Sequence, residues 1–250
     1  ELISKKLIKC YPMLQKLNLE NLLFLDIETV PETAQHSELP EDKQLLWEQK
    51  SKYQRKEDYS AEAFYDRAGI WAEFGKIICI SVGYFVDIEN KKQLRLRSFF
   101  GDDEHKILTD FKVLLETHFT KKSHVLCAHN GKEFDFPYLC RRMLINGLEI
   151  PKSLQLQGKK PWEIIHQDTM EMWKFGDRRS YTSLELLAEL MGISGAKADL
   201  SGDQVNRVFY KENGLARINE YCLEDVIVVA QLYLRFHFLD LVAPENIVKL

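Results

Sequence analysis

Two acidic residues one position apart, Asp26 and Glu28, lie at the end of a run of apolar residues, 22–25. Because alternate side chains of a strand lie on the same face, both carboxylates are predicted to project together from the end of a buried strand. Like charges at that spacing repel each other unless a cation lies between them. Hard divalent ions such as Mg²⁺ and Mn²⁺ prefer oxygen ligands. For this pair alone, the alternative is a solvated strand end.

A further acid, Asp135, stands in a strand–turn–helix pattern. Residues 125–128 are apolar and indicate a short buried strand, and Asn130-Gly131 is typical of a tight turn because both residues tolerate positive φ. The apolar residues that follow recur at helical spacing. Asp135 is therefore predicted near a helix start, where the helix dipole by itself would also favour a carboxylate.

A third pattern combines Tyr221 with Asp225, four residues apart and therefore on one face of a helix. The apolar residues 226–230 indicate that this helix packs closely against a sheet. A carboxylate in that position needs a partner, because an unpaired buried charge is costly. The alternative for this pattern alone is a core tyrosine beside an exposed aspartate.

In this order the three patterns resemble the exonuclease motifs of the DEDD superfamily, namely Asp26-Ile-Glu28, Asn130-Gly-x-x-Phe134-Asp135 and Tyr221-x-x-x-Asp225. Residues 129–139 are especially similar to the proofreading exonuclease domain of family-B DNA polymerases, and the tyrosine places the chain with the branch called DEDDy. The sister branch has a histidine five residues before the last aspartate, where this chain has Glu220. The resemblance covers roughly residues 20–240. It implies an α/β fold of the ribonuclease H-like type, with a mixed central β-sheet flanked by helices.

The four acids together predict a site for two divalent ions, Mg²⁺ or Mn²⁺, about 3.5–4 Å apart, and two-metal hydrolysis of a phosphodiester bond. One ion would activate the attacking water and the other would stabilise the leaving 3′ oxygen. Glu28 is also placed to orient the water. The phenol of Tyr221 has an ordinary pKa near 10, so it is suited to aim the nucleophile rather than to act as a full base. The expected catalytic residues are Asp26, Glu28, Asp135, Tyr221 and Asp225, and the expected metal ligands are the four acids among them.

The resemblance also implies substrate contacts. Thr29 and the backbone after Glu28 would contact the 3′-terminal nucleotide, and Asn130 and Phe134 would contact the next base or sugar. Eight basic residues are predicted, as a group, to line a path for the phosphate backbone, although each alone is typical of a solvated surface. They are Lys132, Arg141, Arg142, Lys159, Lys160, Arg178, Arg179 and Lys197.

Length and composition agree with one α/β domain across residues 1–250. A 45-residue insertion at about 31–75 separates the first two predicted strands and should carry its own structure, including an amphipathic helix over 61–72. It either covers the active-site cleft or pads one edge of the fold. Five widely spaced cysteines without a Cys-x-x-Cys pattern favour reduced thiols and a cytoplasmic location. Neither a membrane span nor a secretory signal is predicted.

Two polar residues outside these motifs are assigned structural roles. Asp168 closes a predicted strand and is interpreted as a helix cap or turn residue, and His129 as a structural residue of the turn.

The function predicted from the sequence is a stand-alone, metal-dependent 3′–5′ exonuclease that acts on single-stranded DNA and releases nucleoside monophosphates. The expected partners are single-stranded nucleic acid, with DNA favoured over RNA, and a DNA polymerase or repair factor. Three alternatives remain open at this point. They are an RNA 3′–5′ exonuclease, a catalytically quiet nucleic-acid-binding module, and an interaction domain built on the insertion.

Overall fold

The computed structural model describes residues 18–55, 59–89, 91–177, 179, 181–193 and 200–250. The strands are β1 Leu22–Pro31, β2 Gly75–Ile88, β3 Lys91–Phe100, β4 Val125–Ala128, β5 Gln167–Asp168 and β6 Ile247–Lys249. The helices are α1 Glu41–Ser51, α2 Ala61–Phe64, α3 Glu104–His118, α4 Asp135–Ile145, α5 Thr169–Lys174, α6 Leu184–Leu190, α7 Val205–Glu212 and α8 Leu215–Phe236.

The strands form one mixed sheet in the order β5-β4-β1-β2-β3-β6. The pairs β1–β2 and β2–β3 are antiparallel, whereas β1–β4, β4–β5 and β3–β6 are parallel. The strand that carries the paired acids is therefore central. Because β1 and β4 are parallel, their carboxyl ends lie at the same edge of the sheet. The loop after β4 is therefore close to the acids at the end of β1.

Helices cover both faces of the sheet, and β1 contributes alternate residues to each side. Leu23, Leu25 and Ile27 belong to the core shared with α3 and α4. Leu22 and Phe24 belong to the core shared with α8. This alternation confirms the predicted strand and the predicted layering of helices on both sides of a mixed sheet.

The insertion builds a small aromatic core of its own around the fully buried Trp47. Its amphipathic helix is shorter than predicted, because only Ala61–Phe64 is α-helical before a 3₁₀ turn over Tyr65–Ile70. Close packing on β1 accompanies this tightening. A Cβ at Gly69 would lie 3.0 Å from the backbone of Val30.

The insertion is anchored beside the carboxyl end of the central strand β1 rather than along an edge strand. The Tyr138 hydroxyl on α4 donates to the Gly69 carbonyl at 2.7 Å, and Arg142 donates to the Ala72 carbonyl at 2.8 Å. Arg142 also forms a buried ion pair with Glu104 at 2.5 Å. Its sequence-based assignment to a phosphate path was therefore wrong, because this guanidinium is satisfied inside the protein.

None of the helices in the described part of the chain is long and apolar enough to span a membrane.

Candidate active site

The end of β1 presents Asp26 and Glu28 on the sheet face that α8 covers. The parallel pairing of β1 with β4 ends at Phe24, so among the described residues no strand pairs with β1 on that side at the level of the two acids. A β-bulge lies between Glu28 and Thr29, where the register with β2 shifts by one residue. The residue without a partner, Ile78, is on β2, so this irregularity increases the local twist of the sheet directly after the second acid.

Asp135 reaches the same region from the turn after β4. Asn130 adopts a left-handed conformation with φ of 62°, and a Cβ at Gly131 would lie 2.4 Å from the Cβ of Ala128. The residue types predicted for a tight turn are therefore required by the geometry. Asp135 is the first residue of α4 and is only 4% exposed. Its carboxylate accepts hydrogen bonds from its own backbone N–H and from that of Ile27.

Tyr221 and Asp225 lie one turn apart on α8, as predicted from their spacing. The Tyr221 hydroxyl donates to the Asp225 carboxylate, and both side chains are half-buried. The long helix holds this pair in place because it buries an almost continuous apolar surface between residues 222 and 234. Partial exposure leaves the pair open to a ligand from solvent.

The electrostatics of the cluster are dominated by burial and by repulsion among the acids. Burial, followed by the charges of Asp225 and Glu28, raises the pKa of Asp26 well above its ordinary value. Burial and Asp225 likewise raise the pKa of Glu28. Burial raises the pKa of Asp135 and that of Asp225 to about 7. Burial and the charge of Asp225 also raise the pKa of Tyr221, so this phenol stays protonated.

The cluster fits a divalent cation. Among the described residues, no lysine or arginine forms an ion pair with any of the four acids. Like-charged carboxylates without a cationic side chain are expensive to keep ionised, and an ion held between them removes that cost. Ligand atoms of Asp26, Glu28 and Cys222 lie within 4.8 Å of one another, a separation that one ion can bridge.

Cys222 was not predicted from the sequence as a site residue. Its thiol donates to the Asp26 Oδ2 at 3.3 Å from a fully buried position on α8. Burial, followed by Cys79 and Asp26, raises the pKa of this thiol well above its ordinary value. Its place inside the third motif, directly after Tyr221, was the available signal.

Asp168 is a helix cap, as predicted, and it also binds the turn that precedes Asp135. Its side chain accepts the Met170 and Glu171 N–H groups as the N-cap of α5, at 2.9 and 3.1 Å. It also accepts the Asn130 N–H at 3.0 Å and the Lys132 N–H at 3.1 Å. One buried carboxylate therefore holds the turn that leads to Asp135.

The residues expected to contact substrate border the cluster and also have partners inside the protein. The Thr29 hydroxyl donates to the Tyr138 phenol oxygen. The backbone carbonyl of Asn130 accepts the N–H groups of Glu133 at 3.2 Å and Phe134 at 3.0 Å, in the turn before α4. The Phe134 ring packs 5.3 Å from the ring of Tyr138 and remains half-buried.

Other residues around the turn are held by internal contacts. His129 bridges the Thr169 hydroxyl at 2.9 Å and the Thr182 carbonyl at 3.0 Å, which agrees with the structural role expected for it. Lys132 is paired with Glu171 at 2.5 Å. Of the other basic residues considered for a phosphate path, Arg178 and Lys197 lie outside the described residues.

The sequence matches the family model for a predicted 3′–5′ exonuclease related to the exonuclease domain of PolB over residues 70–244. This segment contains Asp135, Tyr221 and Asp225, whereas Asp26 and Glu28 precede it. No curated protein matches the sequence.

Among solved structures, the family B DNA polymerase from the hyperthermophilic archaeon Pyrobaculum calidifontis has a similar fold, with a TM-score of 0.52 at 14% identity. The alignment covers 86% of this chain and 27% of the polymerase, so the chain spans about a quarter of that protein's length. The fold is thus ribonuclease H-like, and the chain belongs to the family of predicted 3′–5′ exonucleases related to the exonuclease domain of PolB.

Proposed function

We propose that this chain is a metal-dependent 3′–5′ exonuclease that hydrolyses the terminal phosphodiester bond of single-stranded DNA and releases nucleoside monophosphates. The observation that carries the proposal is the convergence of Asp26, Glu28, Asp135 and Asp225 from three separate elements. In the described part of the chain these acids have no cationic partner. Family membership supports the 3′–5′ direction.

The four acids would hold two divalent ions, Mg²⁺ or Mn²⁺. Bound there, such ions supply a nucleophilic water at neutral pH and neutralise charge on the phosphate oxygens. Burial and mutual repulsion disfavour the charged carboxylates in the absence of a cation, so this site is expected to bind cations strongly.

The role of Tyr221 follows from its protonation state. Since its phenol stays protonated, it donates hydrogen bonds and does not act as a general base. Its hydroxyl already donates to Asp225, and on substrate binding it can donate instead to the attacking water or to a phosphate oxygen. Glu28, at 8% exposure, is held firmly enough to orient the water.

An exposed aromatic residue beside the site supports a single-stranded substrate. Tyr181 is 72% exposed and directly precedes Thr182, whose carbonyl is bonded to His129 next to the Asn130 turn. Unpaired bases stack on such side chains, and stacking tolerates any sequence. A DNA polymerase or a repair factor is the partner expected to present such 3′ ends.

The test is cleavage of 5′-labelled single-stranded DNA and RNA of one sequence, with Mg²⁺, Mn²⁺ or EDTA. Asp26→Asn removes one metal ligand at constant volume. Asp87→Asn is the matched control, because Asp87 is an exposed acid near the distal end of β2. We expect a ladder that descends from the 3′ end of the DNA with wild type and Asp87→Asn, and none with EDTA or Asp26→Asn.

Any other result of this cleavage assay would favour a different function. A ladder from RNA alone would favour the RNA exonuclease, and internal cuts would contradict an exonuclease altogether. Retarded oligonucleotide without any cleavage under either metal would favour a nucleic-acid-binding module that kept the fold.

A further inference from the structure

A buried thiol lies inside the carboxylate cluster. The Cys222 Sγ is 3.3 Å from the Asp26 Oδ2 and 3.5 Å from the Asp26 backbone oxygen. One ligand atom from each of Asp26, Glu28 and Cys222 falls within 4.8 Å of the other two. Cys222 is fully buried, and Glu28 is 8% exposed.

The separation of sulfur and oxygen matches two ligands on one ion. In zinc sites the metal–sulfur distance is about 2.3 Å and the metal–oxygen distance about 2.0–2.2 Å, so the two ligand atoms lie roughly 3.1–3.6 Å apart at angles from a right angle to tetrahedral. The observed distance of 3.3 Å lies within that interval. The Cys222 sulfur and this Asp26 oxygen therefore already stand at the separation of two ligands of one ion.

The neighbouring thiol, Cys79, has partners of its own. Its Sγ lies 3.6 Å from the Ser81 hydroxyl and 3.6 Å from the Asn219 side-chain oxygen, and its thiol is also hydrogen-bonded to that of Cys222. Within the described residues, the cluster of ligand atoms that could hold a metal includes Cys222 and not Cys79. The sulfur available to an ion between Asp26 and Glu28 is therefore that of Cys222.

We propose that Asp26, Glu28 and Cys222 form a site for thiophilic divalent ions, Zn²⁺ or Co²⁺, bound through two carboxylate oxygens and one thiolate sulfur. This proposal rests on the proposed function only in that it uses the same two carboxylates. On binding, the Cys222 thiol releases its proton to solvent and its sulfur donates an electron pair to the ion, without any change of oxidation state.

The thiolate gives the site a preference that carboxylates alone would not provide. Mg²⁺ takes oxygen ligands and gains little from sulfur, whereas Zn²⁺ and Co²⁺ bind thiolate strongly. A thiophilic ion held by Cys222 also occupies the carboxylates that Mg²⁺ would need. Zn²⁺ is therefore an inhibitor that competes with Mg²⁺ at this site.

The experiment is a Co²⁺ titration of the EDTA-treated, desalted full chain, followed by thiolate-to-cobalt charge-transfer absorption. Cys222→Ser keeps a hydrogen-bond donor to Asp26 and removes the sulfur. Cys140→Ser is the matched control, because Cys140 lies on α4 with its Sγ 3.3 Å from the Leu154 carbonyl, away from the acids. We expect the band in wild type and Cys140→Ser and its loss in Cys222→Ser.

Competition by Zn²⁺ supplies the second measurement. We expect Cys222→Ser to lower Zn²⁺ affinity by roughly 100-fold or more, since even partners outside the ligand set change affinity by about 10–100-fold. The Zn²⁺ concentration that halves Mg²⁺-dependent cleavage, measured relative to each variant's own activity, should rise accordingly. If Cys222→Ser does not fold, Asp26→Asn keeps the thiol and should still weaken Co²⁺ binding.

The outcomes separate this proposal from the proposed function. An equal charge-transfer band in wild type and Cys222→Ser, or no band in wild type, overturns the thiolate site even when Mg²⁺-dependent cleavage is normal. A band that depends on Cys222 in a protein that cleaves neither DNA nor RNA supports the thiolate site and overturns the nuclease.

Discussion

The two ends of the parallel strands β1 and β4 both carry groups of like charge, but they differ in how those groups are placed. At the carboxyl end, Glu28 and Asp135 are buried, and Asp26 and Asp225 are partly buried beside them. Burial raises the pKa values of all four acids, and the charge of Asp225 raises those of Asp26, Glu28 and Asp135 further. This end is electrostatically unfavourable until a cation binds.

The amino end holds lysines around a cavity of about 530 Å³. The ammonium-bearing side chains of Lys121, Lys122, Lys152 and Lys159 are exposed there, so their charges are solvated and screened. His166 at the base accepts the Leu126 N–H at 3.2 Å and is bonded to the Ser153 carbonyl at 2.7 Å. Burial lowers the pKa of His166 to about 4, so its ring is neutral at neutral pH.

This difference in burial indicates which of the two charged clusters, the acids or the lysines, implies a bound ligand. Exposed charges cost the fold little, so the lysines can persist without a ligand. Acids that repel one another in partly or fully buried positions lower the stability of the folded state, and a function that uses a cation explains why they are kept together. Burial and spacing, rather than the number of charges, distinguish the two ends.

The largest effect is expected from Asp26→Asn, which should change activity and stability in opposite directions. Loss of one metal ligand should lower kcat/KM by about 10³-fold or more, since a metal supplies several kcal/mol and each 1.4 kcal/mol is tenfold. Without metal the variant should be more stable than wild type by roughly 1–3 kcal/mol, because one of four repelling carboxylates is neutral. Cleavage rates and urea unfolding in EDTA measure both. A variant less stable than wild type in EDTA would contradict the repulsion.

The second effect is on the pH dependence of stability in EDTA. The pKa values of Asp135 and Asp225 are raised to about 7 in the folded state, well above ordinary aspartate values. The folded state therefore retains protons that the unfolded chain has lost. The contribution of these two carboxyl groups to stability should be greatest below about pH 4, fall as the pH rises towards 7, and level off above it, by a few kcal/mol in total. The neutral ring of His166 contributes with the opposite sign over the same range, so the acids are isolated by comparing profiles with and without a cation.

Saturating Mn²⁺ provides the control for this pH dependence. A bound cation favours the ionised carboxylates, so the fall in stability between pH 4 and pH 7 should shrink or disappear. Thermal unfolding midpoints across this range, with EDTA and with Mn²⁺, measure the effect. Profiles of the same shape in EDTA and in Mn²⁺ would mean that the acids do not raise one another's proton affinity as their positions indicate.

Part of this site was predictable from sequence because the relevant signals are local. Alternation along β1 places Asp26 and Glu28 on one face, and the four-residue spacing places Tyr221 over Asp225. The sheet order and the burial of each acid depend on contacts between distant segments, which periodicity does not encode. The thiol of Cys222 was missed for the same reason, since only packing of α8 on β1 brings it to Asp26.

Cys222 is a site residue that was missed, whereas Arg142 is a structural residue that was wrongly assigned to the site. Its charge and its position after the second motif suggested a phosphate contact, but the side chain is 5% exposed and is paired with Glu104. Glu104 begins α3, far from Arg142 in the chain, so the pairing follows from the tertiary packing of two helices rather than from local sequence.

An intermediate effect is expected at Asp168, whose carboxylate accepts four backbone N–H groups. Asp168→Asn keeps one oxygen, which is an uncharged and weaker acceptor, and replaces the other by an NH₂ group that cannot accept a backbone N–H. Stability should fall by roughly 2–3 kcal/mol, the scale of hydrogen bonds to a charged group. Cleavage should fall by about 10–100-fold with a raised requirement for Mg²⁺, because the turn that leads to Asp135 loosens.

A matched variant separates positioning from general loss of stability at Asp168. Arg142→Met removes the buried pair with Glu104, which should also cost roughly 3–5 kcal/mol, yet it lies away from the acids. Assays at a temperature where all three proteins are folded should show the raised Mg²⁺ requirement in Asp168→Asn alone. An equal Mg²⁺ requirement in both variants would reduce Asp168 to a helix cap.

The smallest effect is expected for the lysines at the amino end of β1 and β4. It tests directly whether burial separates the two ends in function. Replacing both Lys121 and Lys122 with alanine should change stability by no more than about 0.5 kcal/mol, as for surface residues without specific contacts. The DNA affinity of the double variant, and its dependence on salt concentration, should match those of wild type. A slope of log affinity against log salt reduced by about one per lysine would instead place these ammonium groups on phosphates. Exposed charge would then also carry function here, and burial alone would no longer separate the two ends.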